Sequence, residues 1–185
     1  MRIVAVDPGK KGRILGIDTQ EPLGWFHKLQ YTGNELSITQ TESALTAIKP
    51  SVVILEKVRG RGTLGIQSTK AANWSASSNF NFGDTFGQIR TVLRYSSFRL
   101  GFSLGLLDPQ TWQKTAWQGI ETKLKPKEKS LIAYDRLFPR KPLSVNPRAL
   151  SPDDGLIDCL LMIYHYLMNT KQFQDMPNWK FEEIK

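Results

Sequence analysis

A chain of 185 residues with 40% hydrophobic and 23% charged residues has the make-up of one folded domain rather than a disordered segment. No apolar run approaches the ~20 residues that cross a bilayer. The N-terminus enters an apolar strand at Ile3 with no basic leader, so a soluble, cytoplasmic protein is expected, an organelle remaining open. Cys159 is the only cysteine and His27 and His165 the only histidines, which excludes an internal disulfide and a Cys/His zinc site. Cys159 lies in an apolar run and is expected in the core. The net charge of +8 points to a polyanionic partner, nucleic acid before membrane, although charge alone decides nothing.

Arg2–Asp7 is a short apolar strand stopped by the turn signal Pro8-Gly9. Residues 13–18 and 24–31 follow as strands, separated by Glu21-Pro22, and predict an antiparallel meander with the first. A helix is expected over 41–48, stopped at Pro50. Residues 51–58 form a β-branched run of the kind buried on both faces of a sheet. Residues 59–82 are rich in Gly, Ser, Asn and Arg and predict a mobile loop before a helix over 83–100. A strand over 102–107, a helix over 111–118, a basic stretch over 121–129 and a helix over 130–138 come next. The loop 140–150 precedes a last helix over about 152–170, so residues 1–170 make the expected domain and 171–185 an unassigned C-terminal tail. This order of elements resembles the ribonuclease H-like fold, an α/β domain with a mixed five-stranded sheet flanked by helices. Order alone does not fix function.

Carboxylates stand in three places where an apolar core excludes them. Asp7 ends the first strand, Glu56 lies near the end of the 51–58 run, and Asp158 sits inside Leu156-Ile157-Asp158-Cys159-Leu160-Leu161. An ionised carboxylate in such a helix costs several kcal/mol unless it is paired or metal-bound. Taken singly, Asp7-Pro8-Gly9 reads as a turn and Glu56 as the partner of an arginine. Asp153 and Asp154 open the last helix, where acids are favourable; Ser151 reads as its cap, Pro152 as its first residue and Asp153 as an end-stabilising acid. Asp154 and Asp158, four apart, differ by only ~40° around a helix, whereas Asp153 and Asp158 differ by ~140°. Gly155 between them leaves room for a close approach of backbone or phosphate. Asp7, Glu56, Asp154 and Asp158 together suit two Mg²⁺ ions, with Mn²⁺ as a substitute, of the kind that promote in-line displacement at phosphorus.

These residues carry a family likeness. Ile3-Val4-Ala5-Val6-Asp7-Pro8-Gly9, Val53-Ile54-Leu55-Glu56-Lys57-Val58 and Asp154-Gly155-Leu156-Ile157-Asp158 resemble the catalytic segments of RuvC-type Holliday-junction resolvases. Pro109-Gln110-Thr111-Trp112-Gln113-Lys114 and Lys129-Ser130-Leu131-Ile132-Ala133 are similar to the phage and chloroplast branches. The likeness covers most of residues 1–168. It implies that Asp7, Glu56, Asp154 and Asp158 are catalytic metal ligands, and that a homodimer binds a four-way DNA junction and nicks two opposed strands during recombination and repair. The four-residue spacing of the last two acids departs from the three-residue spacing of the bacterial pattern, and Asp153 remains a rival of Asp154. The insertion 59–82 departs as well and leaves sequence preference open.

Lys10, Lys11, Arg59, Arg61, Lys123, Lys125, Lys127 and Lys129 are the candidate phosphate contacts, against the alternative of a solvated basic face. Trp74, Phe80 and Phe82 are candidates for stacking on unpaired bases, against ordinary core packing. The helix over 83–100, with Gly83 and Gly87 four apart, is the candidate dimer interface. Competing readings are a related nuclease acting on RNA–DNA hybrids, flaps or transposon ends, an actin-like ATPase, and a non-catalytic DNA-binding scaffold.

Overall fold

The first strand is apolar at every inner position because it serves two cores. In the computed structural model β1 (Arg2–Asp7) sends Ile3 and Ala5 to one side of the sheet and Val4 and Val6 to the other, all four fully buried. Strand side chains alternate faces, so an unbroken apolar run belongs in a sheet covered on both sides. The structure describes residues 1–9, 11–57, 76–138, 143, 153–172 and 179–184, with the backbone alone for 76–82.

In chain order the strands are β1, β2 (Arg13–Asp18), β3 (Leu23–Lys28), β4 (Tyr31–Thr32), β5 (Glu35–Leu36), β6 (Val52–Glu56), β7 (Ser103–Leu107) and β8 (Lys180–Glu183). The main sheet runs β7-β6-β1-β2-β3-β8, with β4 and β5 forming a separate hairpin. β1, β2 and β3 are the expected antiparallel meander, while β6 and β7 join the other side of β1 in parallel. Helices α1 (Ile38–Ile48) and α2 (Ala76–Leu100) share a core with Val4, Val6, Val53 and Leu55 on one face. Helices α3 (Pro109–Ala116), α4 (Pro126–Leu137) and α5 (Asp154–Asn169) cover the other with Ile3, Ala5, Leu15 and Ile54, and α5 lies directly against β1 and β2. This is the expected α/β architecture. Among the described residues no helix is long and apolar enough to cross a membrane.

Several boundaries differ from expectation, each for a local reason. α1 starts three residues early because the Ser37 hydroxyl accepts the Gln40 N–H at 3.4 Å as its cap. The strand expected over 24–31 ends at Lys28, and the chain turns back at Gly33, whose φ of 63° suits a residue without Cβ. Residues 76–82, read as loop from their Ser and Asn content, extend α2; propensity is a weak prior once a long helix propagates. α4 begins inside the basic stretch, with Pro126 in its first turn and the Glu128 carboxylate accepting the Lys125 N–H at 2.8 Å. At α5 the cap is Asp153, which accepts the Leu156 N–H at 3.2 Å, and not Ser151.

The segment set apart as a tail contributes the sixth strand, one more than the five expected. β8 pairs in parallel with β3 from Leu23↔Lys180 to Phe26↔Glu183. Trp179 anchors it: the side chain is 5% exposed and its indole N–H donates to the Asp18 carbonyl at 2.9 Å. A Cβ on Gly24 would fall 2.4 Å from the Phe181 ring, so any larger residue there would have to displace that ring. Trp179→Ala should cost ~3–5 kcal/mol in urea denaturation, the range for emptying a buried aromatic site. A loss below ~1 kcal/mol would mean that the tail is not part of the cooperative unit.

Candidate active site

Period two decides where the strand acids point. Asp7 continues the face of Ile3 and Ala5, and Glu56 the face of Ile54, so both sit on the side covered by α5. β1 and β6 are parallel with Val6 opposite Leu55, so one step further Asp7 and Glu56 end neighbouring strands side by side. α5 brings Asp158 to the same place. Burial, and then the charges of Glu56 and Asp158, push the Asp7 carboxyl well above the usual carboxylate range, with Arg13 pulling the other way. Burial also raises Glu56, opposed by a hydrogen bond from Trp112 and reinforced by Asp108. Asp158 is pushed up to about 7, first by burial, against a hydrogen bond from Ser130 and with Glu56 and Asp154 adding to the rise. Three carboxylates thus feel one another in a poorly solvated corner.

Protein donors hold most of the acids. Trp112 Nε1 donates to Glu56 Oε1 at 2.9 Å, and Ser130 Oγ donates to Asp158 Oδ1 at 2.9 Å. Asp154 is exposed and ion-paired with Lys127. Asp153 caps α5 and also takes Arg13 Nη2 at 2.6 Å and Nε at 3.1 Å. Arg13 itself faces Asp7 across the β1–β2 pair. The two adjacent acids therefore separate: Asp153 acts on Asp7, and Asp154 acts on Asp158. Gly155 packs under both neighbours, since a Cβ there would stand 2.9 Å from Asp7 Oδ2 and from Arg13 Cγ. The close approach that this glycine permits is thus made by the Asp7 carboxylate. A cleft of about 360 Å³ opens here, lined by Asp7, Lys11, Arg13, Lys127, Asp154 and Asp158 among others.

Among the described residues no group of three or more His, Cys, Asp or Glu side chains stands arranged to hold a metal ion. The chemistry of the donors nevertheless fits one. Every ligand atom offered is a hard carboxylate oxygen; burial first, and then repulsion among the acids, raises Asp7 and Asp158, and a bound divalent cation would answer the charge that both disfavour.

The candidate DNA contacts fare unevenly. Lys11 is exposed at the cleft, and Lys123, Lys125 and Lys127 are exposed around the start of α4. Lys129 is committed to the protein: its Nζ donates to the Thr122 carbonyl at 2.8 Å and lies 5.4 Å from the Trp117 ring centre. Lys10, Arg59, Arg61 and Trp74 lie outside the described residues, as do the side chains of Phe80 and Phe82. Cys159 is buried as expected, its thiol donating to the Arg13 carbonyl at 3.5 Å. Arg13, Trp112, Ser130 and Tyr31 were not foreseen as site residues. Tyr31 donates its hydroxyl to the Gly9 carbonyl at 3.0 Å and so pins the loop after Asp7. Of these only Arg13 had a signal, since a tight β1–β2 meander sets it opposite Asp7.

No family model and no curated protein sequence matches the chain. Among solved structures it is similar to Thermus thermophilus RuvC in complex with a Holliday junction substrate, with TM-score 0.57 and 10% identity over 93% of this chain and 96% of that one. It is likewise similar to Thermus thermophilus RuvC alone, with TM-score 0.53 and 14% identity over 92% and 98% of the two chains. The yeast mitochondrial Holliday junction resolvase matches at TM-score 0.47 and 15% identity over 93% and 84%. The fold is thus RuvC-like and of the ribonuclease H-like type.

The raised Asp158 gives a pH signature. The folded protein holds this proton more tightly than the unfolded chain, so the penalty for ionising it is absent below about pH 4 and grows with pH. It is complete above the folded value of about 7. Asp158→Asn removes the charge while leaving an oxygen for Ser130. In a chelator the variant should be more stable than wild type at pH 8, with the difference shrinking toward pH 4. A difference independent of pH in urea titrations would contradict the burial of this charge.

Proposed function

We propose that the chain is a Mg²⁺-dependent endonuclease that resolves four-way DNA junctions as a homodimer through paired symmetric nicks. The observation that carries this reading is the convergence of Asp7, Glu56 and Asp158 from β1, β6 and α5 into one under-neutralised cluster on a RuvC-like fold. In this reading Asp7, Glu56, Asp154 and Asp158 hold the cations, which Mn²⁺ can replace. When bound, the cations supply Lewis acidity for hydrolysis of a phosphodiester. The chain's own part is to present hard oxygens, to exclude water behind the Trp112 and α5 packing, and to hold phosphates near the cleft through Lys11, Lys123, Lys125 and Lys127.

For the dimer, α2 is the candidate surface. Phe98 is 96% exposed and Tyr95 61% exposed. Among the described residues nothing stands within 4 Å of where a Cβ on Gly83 or Gly87 would be, so close approach of a second helix is open to them. Light scattering should give a dimeric mass, free or bound to a junction; a monomer in both conditions would remove paired nicking from the reading.

The direct test is cleavage with Mg²⁺ of a four-way junction, a linear duplex of the same sequence and an RNA–DNA hybrid. Junction cleavage is expected to dominate and to vanish in EDTA; preference for the hybrid would keep the chemistry and change the substrate. Asp7→Asn and Glu56→Gln should each abolish cleavage and leave junction binding intact, since binding rests on basic side chains. A variant with near wild-type turnover would take that residue out of the centre.

The neighbouring acids should dissociate. Asp154→Asn breaks only an exposed pair with Lys127, worth ~0–1 kcal/mol, yet should cost orders of magnitude in single-turnover cleavage. Asp153→Asn keeps a competent cap but removes the counter-charge of a partly buried Arg13, so it should cost about 1.5–3 kcal/mol of stability with cleavage retained. The reverse pattern would move the ligand assignment to Asp153.

A further inference from the structure

Two donors around the acid cluster each occupy one oxygen of one carboxylate. Trp112 is 1% exposed, and its buried indole N–H finds its acceptor in Oε1 of Glu56 at 2.9 Å. The ring lies edge-on to Trp117 with centroids 6.0 Å apart and is packed among the core residues of α3, α4 and α5, so the donor cannot swing away. Ser130, also buried, donates to Oδ1 of Asp158 at 2.9 Å from the neighbouring helix α4. Among the described residues no hydrogen bond engages Glu56 Oε2 or Asp158 Oδ2.

Cation chemistry makes that asymmetry consequential. Mg²⁺ and Mn²⁺ favour a compact octahedron with one oxygen from each carboxylate, whereas Ca²⁺ accepts roughly six to eight oxygens and often takes both from one carboxylate. A donor fixed on Oε1 or Oδ1 biases its carboxylate toward offering one oxygen. We propose that Trp112 and Ser130 are positioning residues that restrict Glu56 and Asp158 to one ligand oxygen each, and so set the preference of the centre for small octahedral cations over Ca²⁺. The inference rests on the metal-dependent reading of the site. Neither residue touches the reacting groups.

The test is cation affinity rather than cleavage. Electron paramagnetic resonance counts unbound Mn²⁺ in titrations of the full chain, and Ca²⁺ is then added as the competitor. Wild type, Trp112→Phe and Ser130→Ala are compared, with folding checked by circular dichroism. The ratio of Ca²⁺ to Mn²⁺ dissociation constants should fall by about tenfold in each variant, the scale of outer-shell effects on metal sites. A site that is merely loosened loses affinity for both ions with the ratio unchanged, and that result in the folded variants overturns the proposal. Should Trp112→Phe fail to fold, Ser130→Ala, which deletes one hydroxyl, carries the expectation alone. Wild-type protein that binds neither ion overturns the metal reading itself and this inference with it; wild-type binding with an unchanged ratio in the variants overturns the inference only.

Discussion

The structure depends on one costly arrangement, the gathering of Asp7, Glu56 and Asp158 where water reaches them poorly. Taking a carboxylate out of water costs several kcal/mol unless something answers its charge, and like charges nearby add to that cost. The rest of the fold makes the arrangement inevitable once the apolar contacts form. A sheet buried on both faces fixes which side each strand residue takes, and parallel pairing of β1 with β6 brings two strand ends level. α5 then closes over them through Leu156, Ile157, Leu160 and Leu161, all essentially inaccessible to solvent. Hydrophobic burial across this sheet is large enough to impose the electrostatic cost, at ~1.5–3 kcal/mol for each fully buried large apolar side chain.

Around the cluster the protein answers the charge only in part. Arg13 braces Asp153 and pulls on Asp7, Lys127 pairs with Asp154, and Trp112 and Ser130 satisfy one oxygen each of Glu56 and Asp158. Neutral donors orient a carboxylate without cancelling its charge. A purely structural site would be expected to pair each acid with a cation, so the shortfall is what separates this corner from an ordinary ion-pair network. Two acids adjacent in the chain divide the labour at the start of α5: Asp153 secures the helix end, and Asp154 stays exposed at the cleft.

The acids were legible in the sequence because each interrupts a hydrophobic run, and the spacing of Asp154 and Asp158 on one helix fixed their shared face. β1, β2, β6 and α5 were legible for the same reason, since strongly patterned apolar segments are hard to misread. What escaped was either weakly patterned or built only by tertiary contact. β8 is four residues, Lys180-Phe181-Glu182-Glu183, with one apolar side chain, and its pairing comes from the anchoring of Trp179. The first turns of α2 contain Ser and Asn, which favour caps and turns over helix interiors. Trp112 reads in the sequence as an ordinary apolar helix residue, and only the fold reveals that its N–H meets Glu56 across 56 positions of chain. Residues 59, 61 and 74 lie outside the described residues, so the structure does not bear on their readings.

Whether the acid cluster is a cation centre decides what this protein can do to a phosphodiester. Crystals soaked in Mn²⁺ and measured at a wavelength where manganese scatters anomalously give the most direct answer. Anomalous difference density is predicted among the carboxylates of Asp7, Glu56, Asp154 and Asp158, and its loss is predicted in Asp7→Asn. Ordered Mn²⁺ elsewhere in the molecule with none in this cluster would contradict the account.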